Sequence, residues 1–376
     1  MGKARPKRLA LVWSQFAAYH VDRCEALAAL TAGKVDIYAV EVATSSHLYA
    51  WEPSGAIRGT KKITLFHGKK FEEIAPLHRF LKLFVQLVKC DQVFWGIGYH
   101  EPEIIPLIWL LRLFGVKAYL MMDSKYDDSP RQNWFEFLKS IGLSAYSGAL
   151  VAGHRHRQYV EFLSFRNRPV LLGYDCVAMA RFQKFNVEDS NKVDWQDRDF
   201  LFVGRFVAKK NILKLIDAFN MYCEYAKEDA RRLILVGDGP QRPEIMRKIV
   251  DLGLHGQVIM TGFLPSDEVA KAMGISLALL LVSYEEQWGL VINEAVALGL
   301  PVIASANCGS TDLLVRNLVN GLVVEPRSVE AICAAMVRMA GSEEEWQAMS
   351  KASSRFEQFA DVSFFANSVI ELAKIE

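Results

Sequence analysis

An α/β fold built from two doubly wound parallel sheets follows from three observations. Short apolar, β-rich runs alternate with longer amphipathic stretches along the whole chain, which is the rhythm of βαβ units. That rhythm fails once, between residues 180 and 198, where polar residues dominate, and then restarts. At 376 residues the chain is too long for one ordinary core and suits two domains of roughly 150–200 residues each.

In the first half, strands are expected at residues 9–13, 35–40, 92–97, 117–122, 148–152 and 170–173, six in one sheet. Each is a short run rich in Val, Leu, Ile or aromatic residues that meets a glycine or a polar loop. The opening run 9–13 follows Lys3, Arg5, Lys7 and Arg8, but five apolar residues are too few for a signal-peptide core, so it is a buried strand. After the polar stretch, strands are expected at 200–203, 233–236, 258–261, 277–282, 301–304 and 321–324. The domain boundaries placed on this pattern are 1–183 and 184–355, with 356–376 as a closing helical segment. The halves share architecture without repeating sequence, so both are Rossmann-like domains, and ligands are expected beyond the carboxyl ends of the strands in an interdomain cleft.

Composition excludes several classes. With 51% hydrophobic and 23% charged residues the chain is neither disordered nor fibrous. Six scattered cysteines without a CxxC pair indicate no zinc site and no disulfide framework, and fit a reducing cytoplasm. The longest apolar stretch, 106–116, is interrupted by Arg112 and falls short of the roughly 20 residues that span a bilayer. Residues 1–90 carry a net +7 and the remainder −6, so the basic half suits an anionic surface. No nucleic-acid-binding motif accompanies this excess.

Four segments carry chemistry. Gly204, Arg205 and Lys210 follow a strand and precede the helix containing Leu213, Leu215, Ile216 and Phe219. The glycine permits a tight turn, the helix end offers free N–H groups, and the two cations suit a diphosphate. The alternative is an ordinary turn with solvated cations. Gly237-Asp238-Gly239-Pro240, again at a strand end, lets backbone approach a nucleotide base or ribose, or is a plain loop with Asp238 as helix cap.

The third segment, 283–295, sets Glu286 and Glu294 eight residues apart, just over two helical turns. Glu286 in the loop and Glu294 inside the helix then point into one cleft at different depths. Gly289 leaves the N–H groups of Leu290 and Val291 open to a phosphate. The apolar neighbours Ile292, Ala295, Val296 and Ala297 leave little polar face, so a carboxylate at 294 needs partners. The fourth segment, 301–312, runs from a buried strand into a small-residue loop, where 307–311 contacts the nucleotide or only turns the chain.

In this order the four segments resemble the family 4 retaining glycosyltransferases, which have the two-domain GT-B fold. The resemblance covers residues 199–340, and its most specific element is Glu-x7-Glu from Glu286 to Glu294, followed by Ala-x-x-x-Gly-x-Pro-Val over 295–302. It implies transfer of a hexosyl group from a UDP- or GDP-linked sugar to a hydroxyl of a glycan, a lipid-linked saccharide or a small molecule, with retention. By the resemblance Arg205 and Lys210 bind the diphosphate and stabilise it as it leaves, with Gly204 and Gly237 giving backbone access. Glu286 holds sugar hydroxyls, Glu294 the ribose, and Gly289, Leu290 and Val291 the phosphates. It further implies no metal and no cofactor beyond the donor, a role in polysaccharide biosynthesis, and a final helix near 362–375 that returns to the first domain.

The first half departs from the family pattern. The loop 14–20 lacks the paired glycines that many members use against phosphate. Asn211 and Cys308 stand where glycines are usual. A histidine common after the strand ending at Met122 is replaced by Asp123-Ser124-Lys125. Asp123 is therefore the candidate catalytic residue of that half, with Lys125 as the alternative. Asp127 and Asp128 serve as helix caps. His100, His154 with His156, and Tyr174-Asp175 also lie at expected strand ends, near the acceptor. Residues 77–89 form a helix with a broad apolar face and scattered cations, either packed on the sheet or resting peripherally on the inner face of an anionic membrane. Two rival functions remain on the sequence: a sugar epimerase on the same fold, and a catalytically weak nucleotide-sugar-binding or scaffold protein.

Overall fold

The computed structural model describes residues 6–47, 53–186 and 193–375. Lys3 and Arg5 of the basic start, and the polar run 188–192, lie outside the described residues. The chain divides into two compact units, one formed by Met1–Val177 with Val362–Glu376 and the other by Ala178–Asp361.

The first unit holds β1 (Lys7–Trp13), β2 (Val35–Ser45), β3 (Lys61–Lys70), β4 (Gln92–Trp95), β5 (Lys117–Met122), β6 (Gly148–Val151) and β7 (Val170–Leu172). They pair in parallel in the order β3-β2-β1-β4-β5-β6-β7. β1 sits at the reversal, with Leu9 paired to Ile37 on one side and Gln92 on the other. Between the strands run α1 (Ala18–Leu30), α2 (Pro76–Leu87), α3 (Ile104–Leu113), α4 (Asn133–Leu143) and α5 (His154–Val160).

The second unit opens with α6 (Met179–Asn186), then β8 (Phe200–Val203), α7 (Ile212–Ala226), β9 (Leu233–Val236), α8 (Arg242–Asp251) and β10 (Val258–Gly262). α9 (Ser266–Gly274), β11 (Ala278–Leu281), α10 (Leu290–Ala297), β12 (Val302–Ser305), α11 (Thr311–Leu314) and β13 (Gly321–Val324) follow. α12 (Val329–Gly341), α13 (Glu343–Ser353) and α14 (Glu357–Ala360) complete it. Its sheet is also parallel, in the order β10-β9-β8-β11-β12-β13. These are the two α/β doubly wound sheets expected.

Two expectations are corrected. The first sheet has seven strands rather than six, because β3 forms its edge beside β2. β3 reads KKITLFHGKK, with lysines at both ends and no fully buried residue, so a search for buried apolar runs passes over it. Lysines on an exposed edge strand oppose pairing with another chain. The boundary also moves: α6 packs on α9 and α10, and the backbone N–H of Met179 donates to Asp361 Oδ2 at 3.3 Å. Residues 178–183 therefore belong to the second unit rather than the first.

The closing segment shifts likewise. α14 packs on α10, where Asn293 Nδ2 donates to the carbonyl of Ala360 at 3.2 Å, so 356–361 stay with the second unit. The chain then returns to the first unit as α15 (Val362–Ala373), starting with a backbone bond from Val362 N to Val177 O at 3.0 Å. α15 packs along α1 and places Phe365, Val369 and Leu372 in the core with Leu9, Leu11, Cys24 and Leu27. Each such buried side chain contributes about 1.5–3 kcal/mol. Gln92 Nε2 donates to the carbonyl of Ala373 at 3.0 Å, which ties the far end of the helix to β4.

Candidate functional site

In the second sheet the strand order reverses between β8 and β11, the topological switch point at which open α/β sheets bind ligands. The loops leaving these two strands carry Gly204, Arg205 and Lys210 on one side and Glu286 and Gly289 on the other. The structure brings Lys210 and Glu286 together as an ion pair; the two side chains are 14% and 12% exposed. Ser283 Oγ donates to Glu286 Oε2 at 3.3 Å. The backbone of Tyr284 donates to the carbonyl of Lys209 at 2.8 Å, which locks the two loops together.

Arg205 is exposed and makes no ion pair among the described residues. It is an uncommitted cation beside a committed one. Next to it, Gly204 N donates to Val236 O at 3.0 Å and Phe206 N to Asp238 O at 2.8 Å, so the loops after β8 and β9 lie flat against each other. Gly237, at φ 135°, makes this possible: a Cβ there would collide with the carbonyl oxygen of Gly204.

Gly289, at φ 95°, turns the chain into α10, whose first turn has no side-chain cap. The leading N–H groups of a helix have no acceptor within it, so Leu290 and Val291 stand at an open positive helix end. The loop after β12 braces this end: Gly309 N donates to the carbonyl of Glu286 and Ser310 N to that of Trp288, both at 3.1 Å. Cys308 is buried against Glu286; burial and that negative charge push its thiol up to about 11. Residues 307–311 thus serve at least as a brace for the Glu286 loop.

Glu294 sits one turn into α10, flanked by Ile292, Ala295 and Val296 that are fully buried. Burial pushes its carboxyl up to about 7, opposed by the charge of Arg181 on α6. The sequence does not single out Arg181, which lies in the polar stretch where the strand–helix rhythm fails; no spacing signal marks it.

In the first unit, residues at the carboxyl ends of β5, β6 and β7 converge. Burial, then the charge of Asp175, raise Asp123 from 3.8 to about 7. Arg23 on α1 is fully buried: its Nη2 donates to Asp175 Oδ1 at 3.0 Å, its Nε donates to the carbonyl of Cys176 at 3.1 Å, and its guanidinium lies 4.9 Å from the Tyr19 ring. Nothing in the spacing of α1 marks Arg23, because a charge on an amphipathic helix normally faces water. Lys125 is buried and neutralised by Asp128, with Asp127 at 3.4 Å, so those two acids serve Lys125 rather than α4.

Of the histidines, His100 and His154 are exposed, whereas His156 is buried, its Nδ1 accepting from Gly153 N at 3.1 Å. The loop after β1 is filled by its own side chains: Gln15, Phe16 and His20 are buried, and the His20 ring stacks on Trp13 at 4.6 Å. Phe16 N donates to Glu41 Oε2 at 3.0 Å.

A carboxyl whose native pKa exceeds its unfolded value holds a proton that the unfolded chain has already released. For Asp123 stability is therefore greatest below about pH 4, declines up to about pH 7, and is level above. Asp123→Asn removes this penalty. Thermal melting at pH 8 should show the variant more stable by about 1–3 kcal/mol, with little difference at pH 4. Equal melting of the two proteins at pH 8 would contradict the raised pKa.

Among the described residues no helix is long and apolar enough to cross a membrane, and no group of three His, Cys, Asp or Glu is placed to hold a metal ion.

Residues 183–356 match the family model described as glycosyl transferases group 1. An uncharacterised glycosyltransferase of Methanocaldococcus jannaschii is 30% identical over 150 residues, which is 40% of this chain and 37% of that one. The chain thus spans little more than a third of that relative's length. Among solved structures, the sucrose-phosphate synthase of Thermosynechococcus elongatus superposes with a TM-score of 0.74 at 19% identity, over 98% of both chains. Anabaena HepE in complex with UDP and glucose superposes with a TM-score of 0.69 at 14% identity, over 98% of this chain and 100% of HepE. At such identities the structures establish the shared fold, that of the GT-B glycosyltransferases.

Proposed function

Starting from a chain whose residues 183–356 belong to glycosyl transferases group 1 and whose fold is GT-B, we propose a glycosyltransferase that moves a hexosyl group from a nucleoside diphosphate sugar to a hydroxyl, with retention. The observation that carries this reading is the meeting of Lys210 and Glu286 at the switch point, beside the uncommitted Arg205 and the uncapped start of α10. Positive charge gathered where a diphosphate would lie is what a departing phosphate needs.

In this reading the donor diphosphate replaces Glu286 as the partner of Lys210. The freed carboxylate then accepts hydrogen bonds from hydroxyls of the sugar. Arg205 and the N–H groups of Leu290 and Val291 hold the phosphate oxygens, and the dipole of α10 adds to the same field. Gly204 and Gly237 give the nucleotide backbone contact, and Glu294 accepts from the ribose. The bond from the anomeric carbon to the phosphate oxygen breaks, the acceptor oxygen bonds to that carbon on the same face, and its proton passes to the departing phosphate. These cations and the helix end supply the charge for which other phosphate-leaving reactions use a metal, so no metal and no cofactor is proposed. HepE, whose structure contains UDP and glucose, supports a UDP-linked donor. The first unit takes the acceptor, with Asp123 as its polar contact.

The test is incubation with a panel of UDP- and GDP-linked hexoses, measuring released nucleoside diphosphate with and without added sugar acceptors. Slow release without acceptor, for one base preferentially, is expected. An epimerised nucleotide sugar as product, or binding with no turnover under any acceptor, would overturn the proposal.

A further inference from the structure

The helices α2, α3 and α4 lie side by side on the first unit: α2 packs on α3, with the rings of Phe84 and Phe114 5.4 Å apart, and Gly142 of α4 abuts Ile105 of α3. Arg112 Nη1 donates to the carbonyl of Ser144, 2.8 Å away, at the end of α4. Their outer surfaces are apolar to an unusual degree. On α2, Leu77, Leu81 and Val85 form an exposed stripe at a spacing of four residues. Leu113 at the end of α3 is 80% exposed, and Trp109 lies exposed one turn before it.

α4 is inside out. It buries its only carboxylate, Glu136, which is 3% exposed, while Trp134, Phe135, Phe137, Leu138 and Ile141 face outward. Inside, Glu136 pairs with Lys139 at 2.7 Å and accepts from the Tyr159 hydroxyl at 2.7 Å. A water-facing helix has the opposite arrangement.

The charge carried by α2 and α3 has one sign. α2 and α3 contain no Asp or Glu, and Lys82 and Arg112 stand exposed among the apolar side chains, with Lys89 and Lys117 just beyond the helix ends. An apolar face larger than single scattered residues marks an interaction site. A second copy of this chain related by a twofold axis would set these cations against each other. A bilayer with anionic headgroups satisfies both features, since acyl chains accept the aromatic and aliphatic side chains while phosphates pair with the cations.

We infer that the outer face of α2, α3 and α4 docks on an anionic lipid surface. None of the residues proposed for the transfer reaction lies on α2, α3 or α4, so this inference stands or falls independently of that function.

The full chain is mixed with vesicles of phosphatidylcholine alone or of phosphatidylcholine with phosphatidylglycerol, and binding is read by co-sedimentation. Binding to the anionic vesicles only, with tryptophan emission quenched by lipids brominated in the acyl chains, is expected. Lys82→Glu with Arg112→Glu, and separately Leu77→Gln with Leu113→Gln, should each weaken binding about tenfold or more. All four side chains are exposed, but Arg112 also bonds the carbonyl of Ser144, so an unchanged melting temperature qualifies each variant, and the Leu77→Gln, Leu113→Gln pair tests the face without touching that bond. Failure of the parent protein to bind anionic vesicles, or variants that bind as well as the parent, would overturn the inference. So would concentration-dependent self-association that the Leu77→Gln, Leu113→Gln variant abolishes, since that would give the face to a second copy.

Discussion

Lys210→Ala is expected to lower the release of nucleoside diphosphate from the donor sugar by about 10²–10³-fold, the loss typical of removing one preorganised charge from a developing anion. The ion pair with Glu286 complicates any single substitution. Removing Lys210 leaves a largely buried carboxylate without its partner, which by itself destabilises the loop. Combining Lys210→Ala with Glu286→Gln separates the two effects. The amide needs no cation, so the double variant should melt near the parent protein while remaining inactive. Activity restored together with stability would assign Lys210 to the fold and remove it from the reaction. Arg205→Ala provides a complementary comparison: the side chain is exposed and makes no ion pair among the described residues, so its loss should leave melting unchanged and reduce turnover.

Asn211→Ala should be the most damaging single change to the second unit's stability outside its apolar core. Asn211 is buried at φ 60°, between the turn that carries Lys210 and the start of α7. Its side-chain nitrogen donates to the carbonyls of Val282 at 2.9 Å and Pro326 at 2.7 Å. Alanine would strand both carbonyls, at about 1–3 kcal/mol each, and would bear about 1–2 kcal/mol for the left-handed backbone. Even the low end of that sum, about 3 kcal/mol, corresponds to a melting temperature lower by about 6–12 °C for a domain of this size. Asn211→Gly loses the hydrogen bonds but not the backbone fit, so it should fall between Ala and the parent. Equal losses for Ala and Gly would show that the left-handed geometry contributes nothing.

That residue also shows what was legible in the sequence. Glycine is usual at the position of Asn211, and the departure stood out without a reason. The reason is local: the position requires positive φ, which Asn tolerates next best, and its amide then ties down two loops. The two sheets and the loops of the switch point were legible because buried parallel strands are continuous apolar runs, and the motif residues sit directly at their ends. β3 was not, because a basic edge strand lacks that signature. The unit boundary was misplaced because α6 falls in the polar stretch: among its described side chains Gln183 and Lys184 are exposed, while Met179 and Phe182 are buried. Glu286 and Lys210 were both singled out, but their contact joins residues 76 positions apart and depends on the strand order. The burial of Arg23 and Asp175 likewise depends on where α1 lies relative to β7, which no local pattern encodes.

The path of the chain has a consequence for how the molecule is made. The second unit, Ala178–Asp361, interrupts the first, whose core is completed only by α15. During synthesis at about 5–20 residues per second, some ten to forty seconds separate the emergence of β7 from that of α15. Through this interval Leu9, Leu11, Cys24 and Leu27 lack the helix that covers them. The inserted unit is continuous and can close on itself meanwhile, so the unit begun first on the ribosome is finished last.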